Sequence, residues 1–255
     1  MLTKERQYRI IAMINEKSFV TVKELMAYFG VSRSSIMRDL IELENQNLIK
    51  RERGGASAVD IDIPTVTSFN EKSVESKEAL NKEEKIAVCR EAAKHISDGD
   101  CIFIDSGTTP VYLLDYISDK NIKIVTPSTY LVSKISEDFK GEVYLLGGEF
   151  RKKYDMSYGP LTLEMIKFFN FTHAFFSANG VNIKNGEVYI FDMNIGAIKR
   201  AVMERTKENY LLVDSSKLEI KALYTWAYSN EFNNVYVNEP NYNCEFPKNY
   251  CICRV

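Results

Sequence analysis

The 255-residue chain has no long uncharged apolar run. Nothing in it reads as a transmembrane helix or a secretory signal, so a cytoplasmic protein with no membrane partner is expected. Its five cysteines are odd in number and irregularly spaced, which argues against a disulfide framework. Cys89 and Cys101 lie in apolar surroundings and read as buried thiols. Only two histidines occur, too few to complete a metal site around Cys251-Ile-Cys253. Alternating cysteines in a terminal strand are the expected arrangement there, and no metal or cofactor is expected. The chain also lacks the Gly-Lys-Ser/Thr of a phosphate loop, and Gly147-Gly148 is not a dinucleotide fingerprint.

What is present is ordinary in bulk and uneven in distribution. Apolar residues make up 45% and charged residues 27%, as in soluble globular proteins, and the length allows two domains with cores of their own. The net charge of -2 hides an asymmetry: residues 1–58 hold ten Lys or Arg against seven Asp or Glu, a formal +3, which leaves −5 for the remainder. A basic head on an acidic body points the head toward nucleic acid.

The head's order of elements carries the same message. Residues 3–16 suit a helix, with Thr3 as N-cap and Tyr8, Ile11 and Ile14 (or Met13) along one side. Ser18-Phe-Val20 is short and β-like. Thr21 and Glu24 form a capping box for a second helix, whose apolar side is Val22, Leu25, Met26 and Phe29. Gly30 suits the position after that helix, where φ turns positive. Only Gly30-Val31 separates it from Ser32, the N-cap of a third helix in which Ile36, Leu40 and Leu43 form one apolar stripe. Arg33, Ser34, Met37, Arg38 and Ile41 fall on other faces. Helix, tight glycine turn, helix is the arrangement that sets a second helix in the major groove. Thr21, Ser32, Arg33, Ser34, Ser35, Met37 and Arg38 are therefore the candidate contacts to double-stranded operator DNA. Taken alone, the same stretch also suits a surface helix of a small bundle. After it, Lys50, Arg51 and Arg53 alternate with Glu52 ahead of Gly54-Gly55, as in a β-wing whose basic residues reach phosphates.

The run Val22-Lys-Glu-Leu25, Val31-Ser32, Ile36, Arg38-Asp-Leu40, Leu43-Glu44 and Arg53-Gly-Gly-Ala56 resembles the winged-helix head of DeoR-type bacterial transcription repressors. That family usually has Thr-Ile-Arg-Arg-Asp-Leu in the recognition helix. Here the run is Ser35-Ile-Met-Arg-Asp-Leu40, so Met37 replaces the first arginine and Arg38 keeps the second.

Residues 59–80 show no sustained period, and Pro64 with its Ser, Thr and Asp neighbours suits a connector. It could act as a passive tether or hold the head at an angle that a ligand in the body changes. A helix could start between Glu71 and Lys77. From residue 81 the pattern alternates. Asn81 and Glu84 read as a capping box for a helix with Ile86, Cys89 or Arg90, Ala93 and Ile96 at helical spacing. Cys101-Ile-Phe-Ile104 is an all-apolar run, as in a strand buried on both faces. Helices are expected over Pro110–Ile117, Ser128–Ser136, Leu161–Phe168 and Ile195–Arg205. Strands are expected over Ile122–Val125, Val143–Leu146, Ala174–Ser177, Tyr210–Val213, Val235–Val237 and Tyr250–Cys253. The expected fold class is α/β: an N-terminal winged helix-turn-helix domain over 1–58 and a C-terminal domain over 81–255 built on a mostly parallel sheet.

In such sheets ligands sit at the carboxyl ends of strands. The loop Asp105-Ser106-Gly107-Thr108-Thr109 lies at one such end. Gly107 lets backbone approach a ligand, the hydroxyls of Ser106, Thr108 and Thr109 can donate, and a helix start adds free N–H groups. Asp214-Ser-Ser-Lys217 lies at another, where Lys217 can neutralise a phosphate. Each loop alone also suits an ordinary βα turn; together they suit a small polyanionic ligand.

Lys85-Ile-Ala87, Ile104-Asp-Ser-Gly-Thr-Thr109, Ile124-Val-Thr126, Leu146-Gly-Gly-Glu149, Gly159, Ala178-Asn-Gly180, Lys199-Arg200 and Asp214-Ser-Ser-Lys217 are similar to the DeoR sensor domain, nearly to the C-terminus. The resemblance implies an isomerase-like sensor fold, related to ribose-5-phosphate isomerase, that binds a phosphorylated sugar or a related small anionic effector. By that resemblance Asp105, Ser106, Gly107, Thr108, Thr109, Gly147, Gly148, Arg151 and Lys217 are candidate effector contacts. It also implies a homo-oligomer that presents paired heads to operator half-sites. The chain departs from the family at Pro127, His173 and Ile195-Gly-Ala197; His173 reads as packing at a strand start. The alternative is a sugar-phosphate isomerase with an added head, for which Asp105, Glu149 and Asp214 are the available bases. The segment Phe175-Phe-Ser-Ala-Asn-Gly180 carries no carboxylate, which favours the repressor over the enzyme.

Overall fold

A computed structural model describes residues 6–7, 9–10, 13–14, 19–45, 49–52, 54–57, 74–218, 220–240, 242 and 244–255. Thr3, Tyr8, Ile11, Leu48, Arg53 and the connector up to residue 73 lie outside the described residues. The chain divides into two compact units, Met1–Ser68 and Phe69–Val255.

In the first unit, residues 6–7, 9–10 and 13–14 are helical. They precede β1 (Phe19–Thr21), α1 (Val22–Phe29), α2 (Arg33–Asn45), β2 (Lys50–Glu52) and β3 (Gly55–Ser57). The three strands form one antiparallel sheet in the order β1-β3-β2. Ile10, Ile14, Val20, Leu25, Ile36, Leu40, Leu43, Ile49 and Ala56 close a small core. The expected stripe on α2 is present, because Ile36, Leu40 and Leu43 lie on one face of a 3.6-residue repeat.

The second unit is built on a seven-stranded, all-parallel sheet. It opens with α3 (Val74–Glu78) and α4 (Lys82–Ala92), followed by β4 (Cys101–Ile104), β5 (Lys123–Thr126), α5 (Thr129–Val132) and β6 (Glu142–Leu145). Then come β7 (Glu149–Arg151), β8 (Met156–Tyr158), α6 (Pro160–Ile166), β9 (Phe171–Phe176), β10 (Gly180–Val181), β11 (Glu187–Ile190) and α7 (Met193–Met203). The chain ends with β12 (Thr206–Leu212), β13 (Tyr224–Tyr228), β14 (Asn234–Asn238) and β15 (Tyr250–Cys253). The sheet order is β15-β14-β12-β9-β4-β5-β6.

The all-apolar runs have a direct cause. Successive side chains in a strand point to opposite faces, and here both faces are covered. Ile102, Ile104, Phe175, Tyr210, Leu212 and Tyr236 enter one core. Their immediate neighbours Phe103, Ala174, Phe176, Leu211, Val213, Val235 and Val237 enter the other. α4 packs against the first core's side, over β12, β14 and β15, and α7 packs against β9 and β12 from the second.

Several local expectations give way to tertiary contacts. Asn81 does not cap α4: it sits in the left-handed region (φ 51, ψ 45) with no side-chain cap bond. Its amide donates instead to Asp214 and Ser216. The buried face of α4 is Lys85, Ala87, Val88, Cys89 and Ala92, whereas Ile86 of the expected stripe is half-buried and Arg90 is exposed, because the helix is covered on more than one side. Pro110–Tyr116 is a 3-10 helix. The expected helix from Ser128 shortens to Thr129–Val132, capped by the Ser128 hydroxyl at 3.1 Å from the Leu131 N–H. The β7–β8 hairpin and the antiparallel β10-β11-β13 sheet were not expected. Their strands run two to five residues, too short for an alternation to stand out. From residue 74 onward the expected connector belongs to the body, since Val74 is buried.

The chain's only two histidines meet at the opposite end of the sheet from the carboxyl-end loops. His95 stacks on Tyr210 with ring centroids 4.5 Å apart and meets the Tyr236 hydroxyl at 2.6 Å. His173 lies 3.5 Å from Asp100 and 3.4 Å from Glu208. Burial pushes the His95 pKa below its ordinary value, the neighbouring His173 pushes the same way, and Glu208 opposes both. The unfolded chain therefore takes up this proton first as pH falls. Stability is complete above the ordinary imidazole pKa of about 6.5 and is lost as pH drops from there toward the lowered folded value. Urea unfolding of the full chain should show a positive slope of stability with pH in that window, reduced in His95→Gln. An equal slope in the variant would assign the dependence elsewhere.

Candidate functional site

The head positions its exposed polar residues through local hydrogen bonds. The Thr21 hydroxyl accepts from the Glu24 N–H at 3.1 Å, and Glu24 accepts from the Thr21 N–H at 2.9 Å. The same hydroxyl faces the Glu24 carboxylate at 2.7 Å, so Thr21 is spent on the cap. Gly30 takes φ 63, ψ 31 and donates to the Met26 carbonyl at 2.9 Å, which turns the chain directly into α2. The Ser32 hydroxyl accepts from the Ser35 N–H at 3.3 Å and lies 2.9 Å from the Ser34 hydroxyl and 3.1 Å from that of Ser35. Ser32, Arg33, Ser34 and Arg38 are exposed on this helix and Ser35 is half-buried. They form one polar helix start with two guanidinium groups. Among the described residues, the Arg38 side chain makes a single long bond, 3.4 Å to the Ser34 carbonyl.

Two expected DNA contacts are placed differently. Met37 is half-buried and packs against the head's core. Arg51 is held by Glu44, with its Nε 2.5 Å from the carboxylate and its backbone N–H at 3.0 Å. That guanidinium lowers the Glu44 carboxyl below its ordinary pKa. Lys50 remains exposed on the wing, and Arg53 lies outside the described residues. Asp39, inside α2, is buried and accepts from Arg6 at 2.6 and 3.2 Å. This pair ties the first helix to α2, and nothing in the local pattern announced it.

In the second unit, sheet order sets the site. β4 continues to β5 on one side, while β9, β12, β14 and β15 lie on the other. The order therefore reverses between β4 and β9, and the crevice beyond their carboxyl ends is where open α/β sheets receive ligands. A cavity of about 100 Å³ opens there. That is roughly seven to ten times the space one ordered water needs, which suits a small metabolite.

The cavity is built from three strand-end loops and one helical segment. Ser106, Gly107, Thr108 and Thr109 come from the loop after β4, Ser177, Ala178 and Asn179 from the loop after β9, and Asp214, Ser216 and Lys217 from the loop after β12. Val74, Lys77, Leu80, Asn81 and Lys85 form a further wall, with Tyr154, Ile190, Ile195 and Lys199. With Lys199 paired to Asp105 behind the lining, Lys77, Lys85 and Lys217 against Asp214 still give it an excess of positive charge. Lys85 is buried and its ammonium donates to the Lys77 carbonyl at 2.7 Å. Burial pushes its pKa down; Asp214 raises it, and the like charges of Lys217 and Lys77 lower it again. An anion in the cavity would relieve that repulsion.

Beneath the cavity lies a buried ion pair. Lys199 and Asp105 are 2% and 1% exposed, and the ammonium donates directly to Asp105 Oδ2. The same oxygen accepts from the Ser177 N–H at 2.9 Å and its hydroxyl at 2.5 Å, and Lys199 also donates to the Ser177 carbonyl at 3.0 Å. Asp105 thus sits behind the lining, where it positions Ser177 and Lys199. Gly107 has a packing reason as well: a Cβ there would lie 2.7 Å from the Ser177 hydroxyl.

Of the nine expected effector contacts, Ser106, Gly107, Thr108, Thr109 and Lys217 line the cavity; Asp105, Gly147, Gly148 and Arg151 do not. Gly147 is fixed by Thr162, which donates to its carbonyl at 2.7 Å. Gly148 lies so close to Thr162 and Tyr158 that a Cβ would collide with both. Arg151 is exposed on β7, donating to the Tyr158 hydroxyl at 2.8 Å. Lys85, Ser177, Asn179 and Lys199 were missed as cavity residues, although Lys85, Asn179 and Lys199 stand inside runs shared with the resembling family. Glu149, an expected base of the isomerase alternative, bonds Tyr158 at 2.7 Å away from the cavity.

Burial raises the pKa of all four thiols at Cys89, Cys101, Cys251 and Cys253, which keeps them protonated. Among the described residues no cluster of His, Cys, Asp and Glu could hold a metal ion. No helix among them is long and apolar enough to cross a membrane.

Comparison with known proteins agrees with both halves. The family described as the DeoR-like helix-turn-helix domain matches residues 6–62, and the one described as the DeoR C terminal sensor domain matches residues 80–239. The glycerol-3-phosphate regulon repressor of Escherichia coli is 30% identical over 243 residues, covering 94% of this chain and 92% of that protein. The lactose phosphotransferase system repressor of Streptococcus mutans is 33% identical over 222 residues, covering 86% and 85%. Among solved structures, ribose 5-phosphate isomerase A from Methanocaldococcus jannaschii aligns with a TM-score of 0.40 and 17% identity, over 54% of this chain and 55% of that one. With both of its domains matched in order and at nearly full length, this chain belongs to the DeoR family of helix-turn-helix regulators.

Proposed function

We propose that this protein is a transcriptional repressor of carbohydrate-metabolism genes. Its head binds operator DNA, and its cavity binds a phosphorylated sugar or a related small anion that weakens DNA binding. The observation that carries this reading is the cavity at the β4/β9 switch point, a space of metabolite size lined by Lys77, Lys85 and Lys217 against Asp214, with Lys199 already neutralised by Asp105 beneath it. The names of the relatives, a glycerol-3-phosphate regulon repressor and a lactose phosphotransferase system repressor, support the same ligand chemistry. A homo-oligomer with paired heads fits repeated half-sites.

An isomerase would need a carboxylate facing the substrate carbon. Asp105 is buried behind the lining and paired with Lys199. Asp214 lines the cavity, but its Oδ1 is taken by Asn81 and Ser216. Both carboxylates work as structural anchors, which favours sensing over turnover.

The test uses the full chain and a duplex selected from a random library. Phosphorylated sugars should raise the melting temperature and release that duplex. Lys217→Ala should keep the duplex affinity and raise the effector concentration for half-release by about ten-fold, equivalent to roughly 1.4 kcal/mol, near the lower end for a hydrogen bond to a charged group. Release at the unchanged concentration would remove Lys217 from the effector site. If no phosphorylated sugar shifts the melting temperature, the sensing role itself fails.

A further inference from the structure

The wall of the cavity formed by residues 74–81 is the stretch that leads back, through residues 58–73, to the head. Its anchors are the same groups that would receive an anion. The Lys85 ammonium holds the Lys77 carbonyl at 2.7 Å, tying down the end of α3. Asn81 donates its amide to Asp214 at 2.8 Å and to the Ser216 hydroxyl at 3.0 Å. Asp214 also accepts from the Ser216 N–H at 3.1 Å and from its hydroxyl. A third anchor, Glu78 with Lys134 at 2.9 Å, is a solvent-exposed ion pair and contributes little. The chain turns from α3 into α4 with Asn81 in the left-handed region at φ 51. Asparagine is among the few non-glycine residues that adopt that conformation readily, and here two side-chain hydrogen bonds hold it.

An anion entering this corner needs donors: Asn81 already spends both amide N–H groups on Asp214 and Ser216, and Ser216 spends its hydroxyl on Asp214, while Lys85 gives one of its three N–H groups to the Lys77 carbonyl. An anion also brings negative charge up to the Asp214 carboxylate. We infer that Asn81 is a ligand-broken latch: anion binding at Lys85 and Lys217 draws the Asn81 and Ser216 donors away from Asp214, and so loosens residues 74–81, from which the tether to the head departs. This rests on the anion-binding reading of the cavity and adds how the bound state reaches the connector. Asn81 acts here as a positioning residue, and its effect on affinity has a definite sign. A contact that the ligand must break lowers the ligand's apparent affinity, so removing it raises that affinity.

The experiment is amide hydrogen exchange on the full chain, with inorganic phosphate at millimolar concentration against chloride at matched ionic strength. In the unaltered protein, phosphate should raise the melting temperature and speed exchange in a peptide covering residues 74–85 by about five-fold. Asn81→Gly removes the amide and keeps the left-handed turn accessible. Its exchange over 74–85 should already be fast without phosphate. The phosphate concentration for half-maximal stabilisation should fall by about five-fold. If the glycine variant does not fold, Ser216→Ala reports the same loosening, since it removes one acceptor of the same amide. A rise in that concentration for Asn81→Gly would make Asn81 a plain ligand contact, and no change in either measurement would make the segment passive; both overturn the latch. Phosphate stabilisation of the unaltered protein with unchanged exchange over 74–85 overturns the latch and leaves the anion cavity standing. No stabilisation at all overturns both.

Discussion

Asp105→Asn should lower the unfolding free energy of this protein by about 3–5 kcal/mol, the loss found when one partner of a buried ion pair is removed. The reason lies in what remains. Lys199 is 2% exposed, and without the Asp105 negative charge its ammonium is left with neutral partners: the Asn amide oxygen, the Ser177 carbonyl and hydroxyl and the Trp226 ring 5.4 Å away. An uncompensated buried charge is far more costly than the pair is favourable, because the pair had already given up its hydration. The variant also weakens the hold on Ser177, whose N–H and hydroxyl both donate to the same carboxylate oxygen. Urea unfolding of the full chain measures the effect. The double variant Asp105→Leu with Lys199→Met should recover much of the loss, since it removes both charges and keeps the volume. If Asp105→Asn changes stability by less than about 1 kcal/mol, the range of exposed pairs, then the ion pair is not dry and the reading of its burial is wrong.

Arg38→Ala should weaken binding to the selected duplex by about 5- to 150-fold, the equivalent of the 1–3 kcal/mol carried by a bidentate base contact. Arg38 is exposed on α2 and makes, among the described residues, one long bond, so its guanidinium fork is available to a base edge. For the same reason its removal should change folding stability by no more than about 0.5 kcal/mol. Arg6→Ala provides the contrast. Arg6 bonds the buried Asp39, so its loss should appear as destabilisation first and weaker DNA binding second. Duplex affinity and urea unfolding together separate the two. An unchanged affinity in Arg38→Ala would move recognition to Arg33 and the serine cluster at the helix start.

Elements whose cause is local were legible in the sequence. The Thr21–Glu24 box, the Gly30 turn and the Ser32 cap are hydrogen bonds between residues a few positions apart, and they form as read. The buried strands were legible for a different reason: a strand covered on both faces must be apolar at every position, as Cys101–Ile104 is. The Ser106–Thr109 and Ser216-Lys217 loops followed, because strand ends place loops. What failed had its cause at long range. Asn81 and Glu84 have the spacing of a capping box, yet Asn81 bonds a loop 133 residues away. Lys85 and Lys199 were not among the expected site residues, and each is buried. Gly147-Gly148 reads as a ligand loop, and its neighbour Thr162 makes it a packed turn.

By itself, then, the sequence determined the two-part architecture, the helix-turn-helix and the parallel sheet, since short-range hydrogen bonding and hydrophobic periodicity act within single segments. The tertiary structure alone decided which charges meet. It set Lys199 on Asp105, Arg6 on Asp39 and Arg51 on Glu44, and it gathered three strand-end loops and residues 74–85 around one cavity. The physical reason is that electrostatic partners depend on distance in space. Residues 94 positions apart in the chain share a buried ion pair only after strand order has brought their loops together.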